Sequence, residues 1–289
     1  MIDRSVARRR FSRAAASYAG ASRLEAEIGA RLSERLDYVK LQPRRLLDLG
    51  CGPAREAQAL AARYPDAQLL LLDFALPMLR RAQPARSWLA RLLAGRGAAA
   101  ICADFERLPL ADASLDLVFS NMALHWARQP LAVLREVHRT LAHGGLLTFS
   151  TLGPDTLKEL RTAAGASRVH AFHDMHDLGD MLVAAGFSAP VMDMEQLTLL
   201  YAEPQSLLSD LRSSGQTCAL DSRHRGLAGR TFGAALRAAL AQQQRDGGLA
   251  VSFEVLYGHA WKAAPRRAPD GRAVVRFEPR QAKKYSRAR

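Results

Sequence analysis

The 289-residue chain is long enough for one large α/β domain or a domain with a substantial insertion, and 48% apolar residues exclude a disordered chain. No apolar run approaches the roughly 20 residues that span a bilayer, and the first residues, MIDRSVARRRFSRAAASY, lack the apolar stretch of a secretory signal. The formal charge of +13 sits at the ends: residues 1–23 carry +5, residues 262–289 carry +8, and the stretch between them is net neutral. Such ends suit either a solvated tail or an acidic partner. Cys51, Cys102 and Cys218 are far apart and lack metal-ligand spacing, which implies a reducing, cytoplasmic setting.

In chain order, Leu24, Ile28, Leu32 and Leu36 recur every four residues and predict an amphipathic helix. Strands are expected at 44–49, 67–73, 98–104, 115–121 and 145–151, with helices near 55–64, 76–93 and 130–141 between them. Continuous apolar strands separated by helices mean a mostly parallel sheet covered on both faces. Gly144-Gly145 reads as the turn into the fifth strand. A helix near 175–185 follows, and PVMDMEQLTLLY (190–201) reads as strand, turn, strand. Helical sequence runs over 204–245, VSFEVLYGHAW (251–261) reads as a last, antiparallel strand, and the Arg-rich tail is expected to be loosely ordered. The chain divides into an N-terminal helical lid (1–43), a cofactor half (44–151), an acceptor-binding part (152–261) and a basic tail (262–289).

LLDLGCGPA (46–54) is a strand running into a glycine turn. A dinucleotide site would want a third glycine where Arg55 stands, and no acid at Asp48 pointing toward the phosphates. Gly50-x-Gly52-x-Ala54 instead suits a cationic nucleoside without phosphate, which is S-adenosyl-L-methionine. Asp73, 21 residues past Gly52, ends the second strand where a carboxylate grips ribose hydroxyls. Asp104 follows the third strand and is placed to accept from the adenine amino group, with Phe105 beside it for stacking. Cys51 reads as a small packing residue within the turn.

LLDLGCGPA, LLLLDFALPML, CADFERLPLADASLDLVFSNMALHW and HRTLAHGGLLTFST resemble the successive motifs of class I S-adenosylmethionine-dependent methyltransferases over residues 44–150. The resemblance implies a Rossmann-like fold with a seven-stranded sheet, a helical N-terminal segment and a helical insertion after the fifth strand. It also implies cofactor contacts from Asp48, Gly50, Cys51, Gly52, Asp73, Phe74, Asp104, Phe105 and Asn121. Ala54 departs from the commoner glycine.

RRRFSRAAASY (8–18), SNMALHW (120–126), TLGPDTLKELR (151–161) and EVLYGHAW (254–261) further resemble the malonyl-acyl-carrier-protein O-methyltransferases of biotin synthesis. This accounts for the Arg- and Ala-rich N-terminus, which by composition alone also suits an organellar transit peptide. The implied acceptor is the free carboxylate of a malonyl thioester, carried by an acidic acyl-carrier protein or by coenzyme A. The alternatives are another small acid or a quinone precursor, or a respiratory-complex assembly factor of the same fold that modifies protein arginine. Arg161 is the first choice to clamp the carboxylate through its planar fork. Tyr18 is assigned to a lid over the donor methyl, and His125-Trp126 to the methionine end of the cofactor. Tyr257, His259 and Trp261 alternate on one strand face and are assigned to the acceptor pocket. HAFHDMHD (170–177) has metal-like spacing, yet carboxylate methylation needs no Lewis acid, so no metal is expected. No base-recognition motif supports nucleic acid as a partner, no membrane span is read, and the oligomeric state is left open.

Overall fold

The computed structural model describes residues 1–82, 98–226, 229–245 and 247–264. Helices α1 (Arg4–Ala14), α2 (Tyr18–Ala21) and α3 (Arg23–Arg35) precede strand β1 (Arg45–Leu49). Then come α4 (Ala57–Arg63), β2 (Gln68–Asp73), α5 (Leu76–Ala82), β3 (Ala99–Cys102), β4 (Leu115–Ser120) and α6 (Pro130–Thr140). The chain continues through β5 (Leu141–Leu152), α7 (Lys158–Ala164), α8 (Met175–Ala184) and β6 (Ser188–Tyr201), then α9 (Pro204–Ser213), α10 (Arg230–Ala241) and β7 (Leu249–Trp261). The part of the expected 76–93 helix beyond residue 82 and the basic tail beyond 264 lie outside the described residues.

The seven strands form one sheet in the order β3-β2-β1-β4-β5-β7-β6. β1 pairs in parallel with both β2 and β4, so the strand order reverses there, and a crevice opens beyond the carboxyl ends of β1 and β4. β7 is antiparallel to both β5 and β6. The leucine runs have a simple cause: neighbouring residues bury on opposite faces. Leu47 and Val118 join the α6 and α8 side with Val137 and Leu182, while Leu46 and Leu117 join the α3 side with Ile28 and Leu32. The four-residue series of α3 is buried as its spacing requires. α1 buries Val6 and Ala7, and its cap Asp3 accepts from the Val6 N–H and pairs with Arg223 at 3.0 Å, tying the N-terminus to the segment before α10.

Two expectations are corrected. Residues 188–201 form one strand without a central turn, irregular only where its pairing shifts between Ser188 and Val191; as the sheet's edge, β6 largely alternates half-buried and exposed positions. β5 begins at Leu141, before the glycine pair. Gly144, at φ +80°, lies where the pairing with β4 jumps from Leu115↔Leu141 to Leu117↔Leu146, so the pair is a bulge within the strand. The helical sequence is divided by β6, with α7 and α8 before it and α9 and α10 after it.

Candidate functional site

At the end of β1 the chain turns sharply. Gly50 and Gly52 have φ of +77° and +53°, and a Cβ on Gly50 would collide with the Ala123 methyl. Ala54 is also left-handed at φ +56°, which explains the glycine that commonly stands there: the alanine carries strain of about 1 kcal/mol. The Gly52 N–H donates to Asp73 Oδ2 at 3.0 Å and the Ala75 N–H to Oδ1 at 2.7 Å, while burial still raises the Asp73 carboxyl to about 6. Asp48 is buried, and its Oδ2 has no hydrogen-bond partner among the described residues. Burial, then the charges of Glu56 and Asp73, push it well above the usual carboxylate range.

Asn121 directly follows β4 and is held three ways. Its amide donates to the Glu25 carbonyl at 2.8 Å and to Glu56 Oε1 at 3.1 Å, and its Oδ1 accepts from Ser150 Oγ at 2.7 Å. The ring of Tyr18 stands over Gly52, 3.9 Å from where a Cβ would sit. Burial first, then the charge of Glu25, raises its hydroxyl well above its ordinary value. Phe74 and Phe105 lie 6.4 Å apart between ring centres, and both border the cavity with Asp73. Cys51 is buried, and burial followed by Asp48 pushes its thiol up, so it packs and does not attack.

Asp48, Asp73, Glu25 and Glu56 thus line the connected spaces at this end of the sheet. The guanidinium there, Arg55, is spent on the Ala19 carbonyl at 2.9 Å and Ser22 Oγ at 3.1 Å. Four acids repel pyrophosphate and favour a cation. The residues therefore fit S-adenosylmethionine, whose net charge is positive, and the orphaned Asp48 Oδ2 marks an unfilled polar position. Asp104 is placed differently from expectation. Its carboxylate pairs with Arg4 and caps the next turn by accepting from the Glu106 N–H, and it does not border the cavity.

A second chamber of about 270 Å³ lies beyond Trp126. Trp126 and Gln216 border both spaces. The indole is held edge-on by Phe11 and by His170, each at 4.9 Å. The chamber walls are apolar, with Leu157, Leu160, Phe172 and Phe253, and its described lining includes no acid. It does include four arginines. Arg10 donates to the Cys218 carbonyl and Arg223 to Asp3, whereas Arg168 stacks 3.9 Å over Phe232 and Arg212 has no polar partner among the described residues. His125 and His170 are kept neutral, pushed down to about 3 and about 4, chiefly by burial.

A methyltransferase domain model matches residues 47–149. A malonyl-[acyl-carrier protein] O-methyltransferase of Methylovorus is 48% identical over 97% of this chain and 96% of its own length. One from Gallionella capsiferriformans is 47% identical over 96% and 97%. The chain belongs to this family. Among solved structures, the YcgJ protein of Bacillus subtilis matches with a TM-score of 0.58 at 16% identity, over 81% of this chain and 98% of that one. The [4+2]-cyclase SpnF matches at 0.51 and 20%, over 81% and 82%. These likenesses show the fold, which carries more than one chemistry.

Within this family member, the structure moves three expected acceptor residues away from the chamber. Arg161 donates to the carbonyls of Pro154, Thr156 and His170 at 2.8, 3.2 and 3.4 Å, so it braces the loop around α7 and is not a free clamp. Tyr257 is buried beneath α3, with the Arg35 guanidinium 4.0 Å over its ring and its hydroxyl donating to Glu195. His259 sits opposite Thr148 and Val191 inside the sheet. Phe253, on the same strand face about 13 Å before Tyr257, borders the chamber.

The histidines of 170–177 separate as well. His170 is buried and its Nε2 accepts from the Ala219 N–H at 2.8 Å, while His173 and His176 are exposed. Among the described residues, no group of three or more His, Cys, Asp or Glu could hold a metal, and no helix is long and apolar enough to cross a membrane. Phe11, Glu25, Arg168, Arg212 and Gln216 were missed. Only Phe11 lay within a quoted motif; the others carry no local signal.

Proposed function

We propose that this chain transfers a methyl group from S-adenosylmethionine to the free carboxylate of malonyl-acyl-carrier protein. The observation that carries this reading is the contrast across Trp126: a four-acid cavity suited to a cationic donor abuts an acid-free, arginine-bearing chamber suited to an anionic acceptor. Near full-length relatives named for that reaction support it.

When bound, S-adenosylmethionine supplies an electrophilic methyl on a positively charged sulfur. Asp48, Gly50, Gly52, Asp73, Phe74, Phe105 and Asn121 are the residues to hold it, with Cys51 packing behind the turn and Tyr18 as the lid of the N-terminal segment. A carboxylic acid has a reference pKa near 4, so the acceptor is already ionised at neutral pH and the protein need supply no base. The neutral state of His125 suits that role: it lends shape and a hydrogen bond without a competing charge.

What remains is orientation, which can account for about 7–11 kcal/mol of a barrier. Arg168 and Arg212 have unspent donors and replace Arg161 as the carboxylate's partners. Trp126, Phe172 and the leucines exclude water. The exposed Arg8, Arg9 and Arg13 on α1 favour an acidic carrier, with an attraction that weakens in salt. The methyl ester would remove the charge that marks malonyl as an extender, so that elongation enzymes accept it as a primer on the way to biotin.

Intact-mass spectrometry of malonyl-acyl-carrier protein, malonyl-coenzyme A and acetyl-carrier, each incubated with the protein and S-adenosylmethionine, tests this. Gain of one methyl on malonyl-carrier alone is expected. No transfer to either malonyl species, with cofactor binding intact, would overturn the acceptor and return attention to a protein-arginine substrate.

A further inference from the structure

Glu25 is a buried acid that the reaction as described leaves without a task. It stands in the first turn of α3, 7% exposed, and borders the cofactor cavity. A role at the helix N-terminus would be served equally well from the surface, since an exposed carboxylate already complements the helix dipole. Burial without a bonded cation needs another reason.

The groups facing it are known from every side. Gln216 Nε2 donates to its Oε1. Arg55 is the nearby cation, but its guanidinium is spent on Ala19 and Ser22. Glu56 from the α4 side and Asp210 from α9 add like charge, and Tyr18 and Tyr201 complete the surroundings. Burial raises Glu25 to about 7.

Its position along the cavity is also defined. Asp73, Phe74 and Phe105 occupy the ribose and adenine end. Glu25 bonds Gln216, and Gln216 borders both the cofactor cavity and the acceptor chamber. Methyl transfer must take place where those spaces meet, so Glu25 is at the methionine end. Of the three charges there, the methionine carboxylate would be repelled by it.

We propose that Glu25 anchors the α-ammonium group of the bound cofactor. This rests on the cofactor reading above and adds a residue to it. A cation at Glu25 favours its ionised form, so binding near pH 7 releases a proton and strengthens as pH rises from about 6 to about 8.

The test is titration calorimetry of the wild-type chain and Glu25→Gln with three ligands, in two buffers of different ionisation enthalpy. S-adenosylmethionine and S-adenosylhomocysteine both carry the ammonium group, and methylthioadenosine lacks it. Glu25→Gln keeps the shape and can still accept from Gln216. It should weaken the first two ligands by about 10- to 100-fold, leave methylthioadenosine within about twofold, and diminish proton release. Glu25→Asp should recover part of the loss. Unchanged affinity for S-adenosylmethionine overturns the proposal. Equal weakening of methylthioadenosine overturns it as general disruption, and a loss confined to S-adenosylmethionine overturns it in favour of the sulfonium. A wild-type chain that binds the cofactor but methylates no malonyl species would sink the acceptor reading alone and leave Glu25 tested.

Discussion

The two sides of Trp126 differ in how they treat charge. On the cofactor side, four acids share one nearby cation, Arg55, which bonds Ala19 and Ser22: Asp48 has an oxygen with no partner among the described residues, Asp73 is raised to about 6 and Glu25 to about 7. On the acceptor side, guanidinium groups meet apolar walls and no acid of the described lining. The buried acids make the first cavity by itself electrostatically unfavourable, and on the reading proposed above each space suits a ligand of opposite sign.

The contrast can be broken most strongly at Asp73. Asp73→Ala removes a cavity charge and the acceptor for the Gly52 and Ala75 N–H groups. Calorimetry should show cofactor affinity falling by about 100-fold. On the other side, Arg168→Met combined with Arg212→Met should raise KM for malonyl-carrier by about 10- to 30-fold in steady-state assays, with cofactor Kd unchanged.

A sharper version separates bracing from binding. Arg161→Met should lower stability by about 1–2 kcal/mol in urea unfolding, since three carbonyls lose their donor, while KM for the acceptor stays within about twofold. A large rise in KM would restore Arg161 as the clamp.

The pH dependence follows from the raised carboxyls. A folded-state pKa above the unfolded value contributes stability at low pH that is lost as pH rises through it. Asp73 (about 6) and Glu25 (about 7) should therefore each contribute stability to the unliganded chain that is lost between about pH 5 and 8 as they ionise. His125 and His170, pushed down to about 3 and about 4, contribute the opposite slope up to about pH 6.5, so the acids' part is read as the difference between wild type and Asp73→Asn or Glu25→Gln in urea unfolding. Over the same window S-adenosylmethionine should bind several-fold more tightly, and the thermal shift it produces should grow. A flat or declining shift would show that the acids do not face the ligand. The smallest effect concerns the turn: Ala54→Gly relieves a left-handed alanine and should stabilise the chain by about 0.5 kcal/mol in urea unfolding.

Much of the cofactor half was legible because its signals are local. A strand, a glycine turn and an acid at the next strand end lie within a few residues of one another, and backbone geometry carries them to the same crevice. Asp48, Gly50, Gly52, Asp73, Phe74, Phe105 and Asn121 gather there. Asp104 was misplaced because Arg4, a hundred residues earlier in the chain, takes its charge. The acceptor half was harder to read. Arg161, Tyr257 and His259 have suitable chemistry, but whether a guanidinium is free depends on which carbonyls fold against it. Strand parity likewise gives a side chain's face and not its distance from the site.

The amino-acid order by itself therefore determined the sheet, its covering helices, the glycine turn and the sign of charge the cofactor must carry. Those follow from period, turn chemistry and short spacings. Only the tertiary structure decided which acids are left unpaired, which arginines keep their donors, and that Trp126 and Gln216 divide the two spaces. These properties depend on pairings between distant segments, such as Glu25 with Gln216 and Trp126 with Phe11 and His170. No local pattern encodes such pairings, because each is set by how separate elements pack and by what burial does to the charges caught between them.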